Sequence, residues 1–363
     1  LWASEGAVDG MELLRGDTDG EPLDATLAIQ LVADYSGNWP SRLAQGLAAP
    51  LAVAAFGAVL LAVLQAPLAL LVAVAGLALG CGFLRVTPAL VAPDEYTHLA
   101  AAYELAGRWS SQQTADESGH LLLRSCDASY FGTKTGEIGI FAYKAQAQAA
   151  AQDTGGPNTL TEVSEAEAGQ GSGNYWAQAL GIWLARLSGQ NFYTMLSWGR
   201  TANLLLYLIL TVAAVAAATG VLRGLFACVA LLPMSLQLAA SLSPDAGVLG
   251  TVFLFTALCM RLRTQRAALW QLVLLAVLAA AVAPAKAIYL PVILLCLAIP
   301  AEHLDPRRGA ETPTVSLRGL PVRPGRLVQL GILLLAAVLW MAANLSELAY
   351  AARDMNRAVL AAG

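Results

Sequence analysis

Apolar residues in this chain come in long runs separated by short polar breaks. Residues 43–84 contain no Asp, Glu, Lys or Arg. As a helix, 42 such residues would extend about 63 Å, enough to cross about 30 Å of hydrocarbon twice. Gln65-Ala66-Pro67 is the natural break, because proline interrupts a helix. This pattern predicts spans near 47–64 and 68–91. Later runs predict spans near 202–221, 225–242, 246–260, 268–284, 286–300 and 327–344. The expected fold is an all-α integral membrane protein with about eight transmembrane helices. A transmembrane domain over 47–344 would follow an acidic, poorly ordered segment at 1–46 and precede a short tail at 345–363.

Composition supports the membrane class. Apolar residues make up 57% of the chain and charged residues only 13%, where a soluble domain carries about 25% charged. Mean hydropathy is +0.60. A disordered chain and an ordinary soluble enzyme are both disfavoured. The net charge is −4 and no consecutive basic block occurs, so a nucleic-acid partner has no electrostatic footprint. Four of the five Cys lie in apolar runs, which argues against a disulfide framework or thiolate metal site. Residue 1 is Leu, and no basic region precedes the first apolar run. That is unlike a signal peptide and leads us to expect a fragment, missing sequence at one or both ends.

Loop charges set the expected orientation. Arg223, the trio Arg261, Arg263 and Arg266, and the group Arg307, Arg308, Arg318, Arg323 and Arg326 fall in alternate links. Basic loops concentrate on the cytoplasmic side. This places the segment 92–200 outside. That segment is too long to be a mere connection. An amphipathic helix is expected from Asp94 to Trp109, a mobile stretch over 145–173, and a second apolar helix from Tyr175 to Leu187. The second helix would lie on the membrane surface or pack on the first. Arg85 reads as a side chain snorkelling to the interface, with a phosphate contact as the other reading.

The candidate chemistry centres on Pro93-Asp94-Glu95-Tyr96-Thr97-His98. Asp94 suits a helix N-cap, and Glu95 and His98 stand three apart on one face. Such a face would offer oxygen and imidazole to a divalent metal ion, or a general base to an acceptor hydroxyl. The plain alternative is a capped helix start with solvated acids. Arg200 is a candidate phosphate grip, with interfacial snorkelling beside Trp198 as the alternative. Lys286 is the only base expected outside in the later helices and a second phosphate candidate. Asp245 reads either as a helix cap or as a site residue. No Gly-x-Ser-x-Gly elbow or Cys–His pairing points to a nucleophilic hydrolase.

The run PDEYTHLAAAYELAGR at 93–108 resembles the first external loop of membrane glycosyltransferases of the GT-C superfamily. The whole chain resembles a bacterial family of multi-pass membrane proteins of unknown function placed near that superfamily. The matching pieces, in order, are Pro93-Asp94-Glu95 with His98 and Gly107, Tyr175 with Gln178-Ala179-Leu180-Gly181, and Gly199-Arg200 with Asn203. They continue with Pro233, Ser241-Leu242-Ser243-Pro244-Asp245, and Lys286 with Tyr289 and Pro291. Two departures stand out: that family usually has one helix before the acidic motif, not two, and has further spans beyond position 344.

The resemblance implies a GT-C-like transferase in the bacterial cytoplasmic membrane. It would move a sugar from a polyprenyl-phosphate donor to a glycan, lipid or protein acceptor of the cell envelope. Asp94 would be the base, and Glu95 its partner or, with His98, a metal ligand. Arg200, Lys286, Tyr289, Asp245 and His98 would bind substrate. Two other classes remain in play. One is a transporter or flippase of a lipid-linked or polar substrate, which should show internal repeats and mid-membrane charge. The other is a non-catalytic envelope-assembly subunit.

Overall fold

The computed structural model describes residues 46–131, 152, 154–169, 174–285, 287–305 and 323–345 in full. It describes backbone alone for 39–45, 320–322, 346–362 and a few short strands. Most of the acidic segment 1–46 lies outside the described residues, so the expectation of poor order there falls outside too. The described chain is a predominantly α-helical membrane fold with one small strand pair among the fully described residues. Five helices are long and apolar enough to cross a bilayer, or six if one bent pair counts as a span.

Helix α1 (Trp39–Val63) and α2 (Leu68–Val86) pack as a hairpin. The turn falls where Gln65 takes a positive φ and Pro67 precedes α2. α2 stops at Val86, short of the expected 91, because Pro88 cannot continue it. α3 (Glu95–Trp109) follows, then strand β1 (His120–Leu123) and α4 (Ser125–Phe131). Strand β2 (Glu162–Glu167) pairs antiparallel with β1. It falls inside the stretch expected to be mobile over 145–173; residues 145–151, 153 and 170–173 of that stretch lie outside the described residues.

α5 (Trp176–Leu187) leads into α6 (Phe192–Ala217), whose N-cap Asn191 accepts a hydrogen bond from Thr194 N at 2.9 Å. The sequence placed this span at 202–221, with Arg200 as its boundary. The structure starts it at Phe192, because the charge of Arg200 is neutralised inside the fold. α7 (Val221–Ala230) and α8 (Pro233–Ala239) meet at a 62° bend. Pro233 explains the break, and the buried Tyr207 hydroxyl donates to the Ala230 carbonyl at 3.0 Å beside it. α9 (Asp245–Leu262) is a full span.

Two expected spans are corrected. α10 (Leu269–Val282) has 14 residues. The region expected at 286–300 is a 3-10 turn, the four-residue α11 (Leu290–Ile293) and a second 3-10 run to Ala298. Together these form one short apolar helical run, Ala287–Ala298, below the length of a full span, bounded by Pro284 before it and Pro300 after it. α12 (Pro324–Ala362) closes the chain, its apolar part reaching Leu345.

Close contacts fix how the helices run. Gly247 and Gly250 of α9 meet Leu206 and Leu210 of α6, so these two helices are parallel. Gly76 and Gly80 of α2 meet Leu208 and Leu204, so α2 is antiparallel to α6. One end of the bundle therefore gathers the end of α2, the start of α3, the end of α8 and the start of α9. The other gathers Arg223, Arg261, Arg263, Arg266, Arg323 and Arg326. His303 joins that second end, its Nδ1 lying 2.8 Å from the Leu262 carbonyl. The apolar core of the spans surrounds α9. A second core fills the domain built on α3, α5 and the start of α6.

Candidate functional site

α3 begins at the acidic motif, but its two carboxylates part company. Glu95 turns inward and is buried, with Arg200 of α6 held against it in a two-pronged ion pair. Arg200 Nε donates to Glu95 Oε1 at 2.8 Å and Nη2 to Oε2 at 2.5 Å. The same guanidinium donates to the carbonyls of Thr87 at 2.9 Å and Pro88 at 2.7 Å. Leu242 N donates to Glu95 Oε1 at 3.2 Å. One ion pair thus ties together the exit of α2, the start of α3, α6 and the loop after α8. Its charges cancel locally, and its donors and acceptors are spent on protein groups.

A second clamp lies behind it. Gln178 of α5 donates to Asn203 Oδ1 at 3.0 Å, and Asn203 donates to the carbonyls of Ser241 at 2.9 Å and Ser243 at 3.0 Å. This pins the Ser241-Leu242-Ser243 loop and so sets where Asp245 emerges. Gly181 of α5 backs directly onto the Trp198–Gly199 backbone, where a Cβ would collide. Only glycine permits that approach, and it brings Gln178 to Asn203.

Asp94 behaves differently from Glu95. The N-cap role expected of its carboxylate is not seen: the side chain makes no cap hydrogen bond. Its backbone sits in the left-handed region at φ 54°, which Asp tolerates better than most residues. The carboxylate is exposed. Asp245 is the first residue of α9 and lies in its first turn. Tyr175, whose hydroxyl is 2.8 Å from His98 Nδ1, lies within electrostatic reach of both acids. Burial, then the charges of Asp245 and Asp94, push the Tyr175 phenol up to about 12. Asp94, Asp245, His98 and Tyr175 therefore share one polar rim.

Next to this rim opens an apolar groove of about 550 Å³. Trp176, Asn174 and Pro244 stand at its polar end, and Leu254, Leu274 and Val277 lie further along it. Along α9, the ten residues from Pro244 to Leu254 correspond to about 15 Å of depth. The volume lies within the usual range for small-ligand sites.

The remaining expected site residues fall elsewhere. Lys286 lies outside the described residues. Tyr289 packs against the apolar core of the spans. Arg85 is exposed on the α2 stripe that also carries the exposed Leu70 and Leu77, the placement of a snorkelling residue. Glu95 and His98 do not converge as a metal site: the first faces Arg200 and the second Tyr175. Among the described residues no group of three or more His, Cys, Asp or Glu side chains is placed to hold a metal ion.

One buried network was not anticipated. Arg124 Nε donates to Asp127 Oδ2 at 2.7 Å, and the Tyr103 hydroxyl donates to the same oxygen at 2.7 Å. Arg186 lies 4.4 Å over the Tyr103 ring and donates to Gln112 Oε1 at 2.7 Å. Burial lowers the pKa of Arg186 and raises that of Tyr103. This network is the polar core of the domain that carries α3 and α5. Its only sequence cue was the i, i+3 spacing of Arg124 and Asp127.

Fold and site together define a multi-span α-helical membrane protein with a polar rim above an apolar groove. The chain belongs to the family described as "Predicted membrane protein (DUF2142)", whose pattern matches residues 77–349. α1 and the start of α2 precede that match. No curated protein and no solved structure matches the chain.

Proposed function

We propose that this protein is a membrane glycosyltransferase that moves a sugar from a polyprenyl-phosphate carrier to a hydroxyl of a cell-envelope acceptor. The observation that carries the reading is the apolar groove lined by Asn174, Trp176 and Pro244, the sequence neighbours of Tyr175 and Asp245, with the charges of Asp245 and Asp94 both felt at Tyr175. A lipid tail needs an apolar channel reachable from the bilayer, and transfer needs a carboxylate at its mouth. The Arg-rich end of the bundle faces the cytoplasm by the positive-inside rule, so the rim faces outward. The membrane is the bacterial cytoplasmic membrane.

Asp94 is the base. It takes the proton of the acceptor hydroxyl as that oxygen bonds to the sugar's anomeric carbon. The bond from that carbon to the carrier phosphate oxygen breaks, and polyprenyl phosphate leaves. Positive charge grows on the sugar ring in the transition state, and Asp245 stabilises it across the rim. His98 and Tyr175 hold the rim in shape and offer hydrogen bonds to sugar hydroxyls. Glu95 and Arg200 support the site as a structural pair and touch neither substrate. The described donor set does not suit a divalent cation, so no step is routed through one. Lys286 remains the candidate for the leaving phosphate.

The test is transfer of radiolabelled sugar from a panel of polyprenyl-phosphate sugars in reconstituted membranes, wild type beside Asp94→Asn. The reading expects transfer by wild type that falls at least about a hundredfold in the variant. A second reading draws on the 62° bend between α7 and α8, since broken helices recur in transporters. It predicts movement of the lipid-linked sugar across the membrane without a transfer product.

A further inference from the structure

Beside the carboxylates, the rim carries an exposed aromatic that the reaction above does not use. Trp176 is the first residue of α5 and lies at the polar end of the groove, yet 61% of it is exposed. Two further indoles hold it in place. Its ring centroid is 5.4 Å from that of Trp109, at an interplanar angle of 36°. Trp109 in turn meets Trp183 edge-on at 6.4 Å, and Trp183 Nε1 donates to Ser110 Oγ at 3.1 Å. This stack spans α3 and α5, the two helices that carry the rim. It leaves Trp176 open beside Asn174 and next in sequence to Tyr175.

We propose that Trp176 is a stacking platform for the sugar ring of the lipid-linked substrate and sets how strongly the sugar is held. The inference rests on the reading of the groove as a lipid-tail site. A pyranose has an apolar C–H face and a girdle of hydroxyls. A fixed indole beside hydrogen-bond acceptors matches both parts at once. Asp94 and Asp245 supply acceptors, and Asn174 offers both donor and acceptor.

The experiment measures binding of two probes to the full chain in lipid nanodiscs. One is bare polyprenyl phosphate; the other is the same carrier bearing one hexose, taken from a panel. Wild type, Trp176→Ala and Trp176→Phe are compared, with melting temperature as the fold control. The expected result is tighter binding of at least one hexose-bearing carrier than of the bare carrier. That gain should shrink about three- to tenfold in Trp176→Ala and largely survive in Trp176→Phe. Because Trp176 also lines the groove, bare-carrier binding is measured for each protein and the gain is the ratio of hexose-bearing to bare-carrier affinity in that protein. A gain that survives in Trp176→Ala overturns the proposal, as does bare carrier that binds while no hexose adds affinity. Either of these outcomes leaves the lipid-groove reading standing. Failure of bare carrier to bind wild type overturns both.

Discussion

Arg200 and Glu95, on different helices and 105 positions apart, form a buried two-pronged ion pair that anchors four segments of the chain. The pair separates the two acids of the motif. Glu95 holds the scaffold, while Asp94, its neighbour, is left exposed at the rim.

Removing either partner should therefore damage the fold before it damages chemistry. An unpaired buried charge costs about 3–5 kcal/mol. Glu95→Ala and Arg200→Ala should lower the melting temperature in detergent and the yield of monodisperse protein. Arg200→Lys should not rescue, because a lysine cannot span both carboxylate oxygens and the two carbonyls. Wild-type melting in any of the three would contradict the assignment.

The backbone at Asp94 makes a separate prediction. At φ 54° a Cβ is disfavoured, by about 1–2 kcal/mol for an ordinary residue. Asp94→Gly should melt at or above wild type, and Asp94→Ala below Asp94→Gly. Equal melting of the two would show that the left-handed conformation is not retained.

Tyr175 predicts a response to alkali. Its phenol is raised from about 10 to about 12 in the folded chain. Between those values the unfolded chain has released a proton that the native chain keeps, so stability falls as pH rises. Tyr175 contributes in full below pH about 10, and the contribution is lost on the way to about 12. Thermal melts from pH 8 upward should show a shallower alkaline decline in Tyr175→Phe than in wild type. Parallel declines would contradict the placement.

The groove can be filled without touching the core. Ala281 lines it and is exposed, so Ala281→Trp should leave the melting temperature intact. Excluding two methylenes of a tail, at about 0.8 kcal/mol each, should weaken binding of polyprenyl phosphate about tenfold. Unchanged affinity would remove the groove from the account.

The helices were legible because their cause is local. Runs without charge, the Gln65–Pro67 break and the starts of α3 and α5 all follow from neighbouring residues. The start of α6 was misplaced because Arg200 looked like a boundary. Its partner Glu95 is far away in sequence, and only the tertiary pairing makes a charge acceptable there. The expected 286–300 span came out short, as the helical run Ala287–Ala298, because hydropathy counts apolar residues and overlooks the stop that Pro300 imposes. Of the candidate site residues, sequence spacing could not show that His98 would meet the Tyr175 hydroxyl, because the two are 77 positions apart. Which acid would be structural was not legible, because Glu95 and Asp94 differ only in the direction their side chains leave the chain. The Arg124–Asp127–Tyr103–Arg186 network was hidden for the same reason: its members meet only once α3, α4 and α5 pack.

The proposed division of labour gives chemistry to Asp94 and support to Glu95. The decisive experiment is the rate of sugar transfer per folded molecule for Asp94→Asn, with melting temperature recorded on the same sample. Asn occupies the left-handed region as readily as Asp, so the account predicts unchanged melting with transfer reduced at least about a hundredfold. Transfer at the wild-type rate by a normally melting Asp94→Asn protein would contradict it.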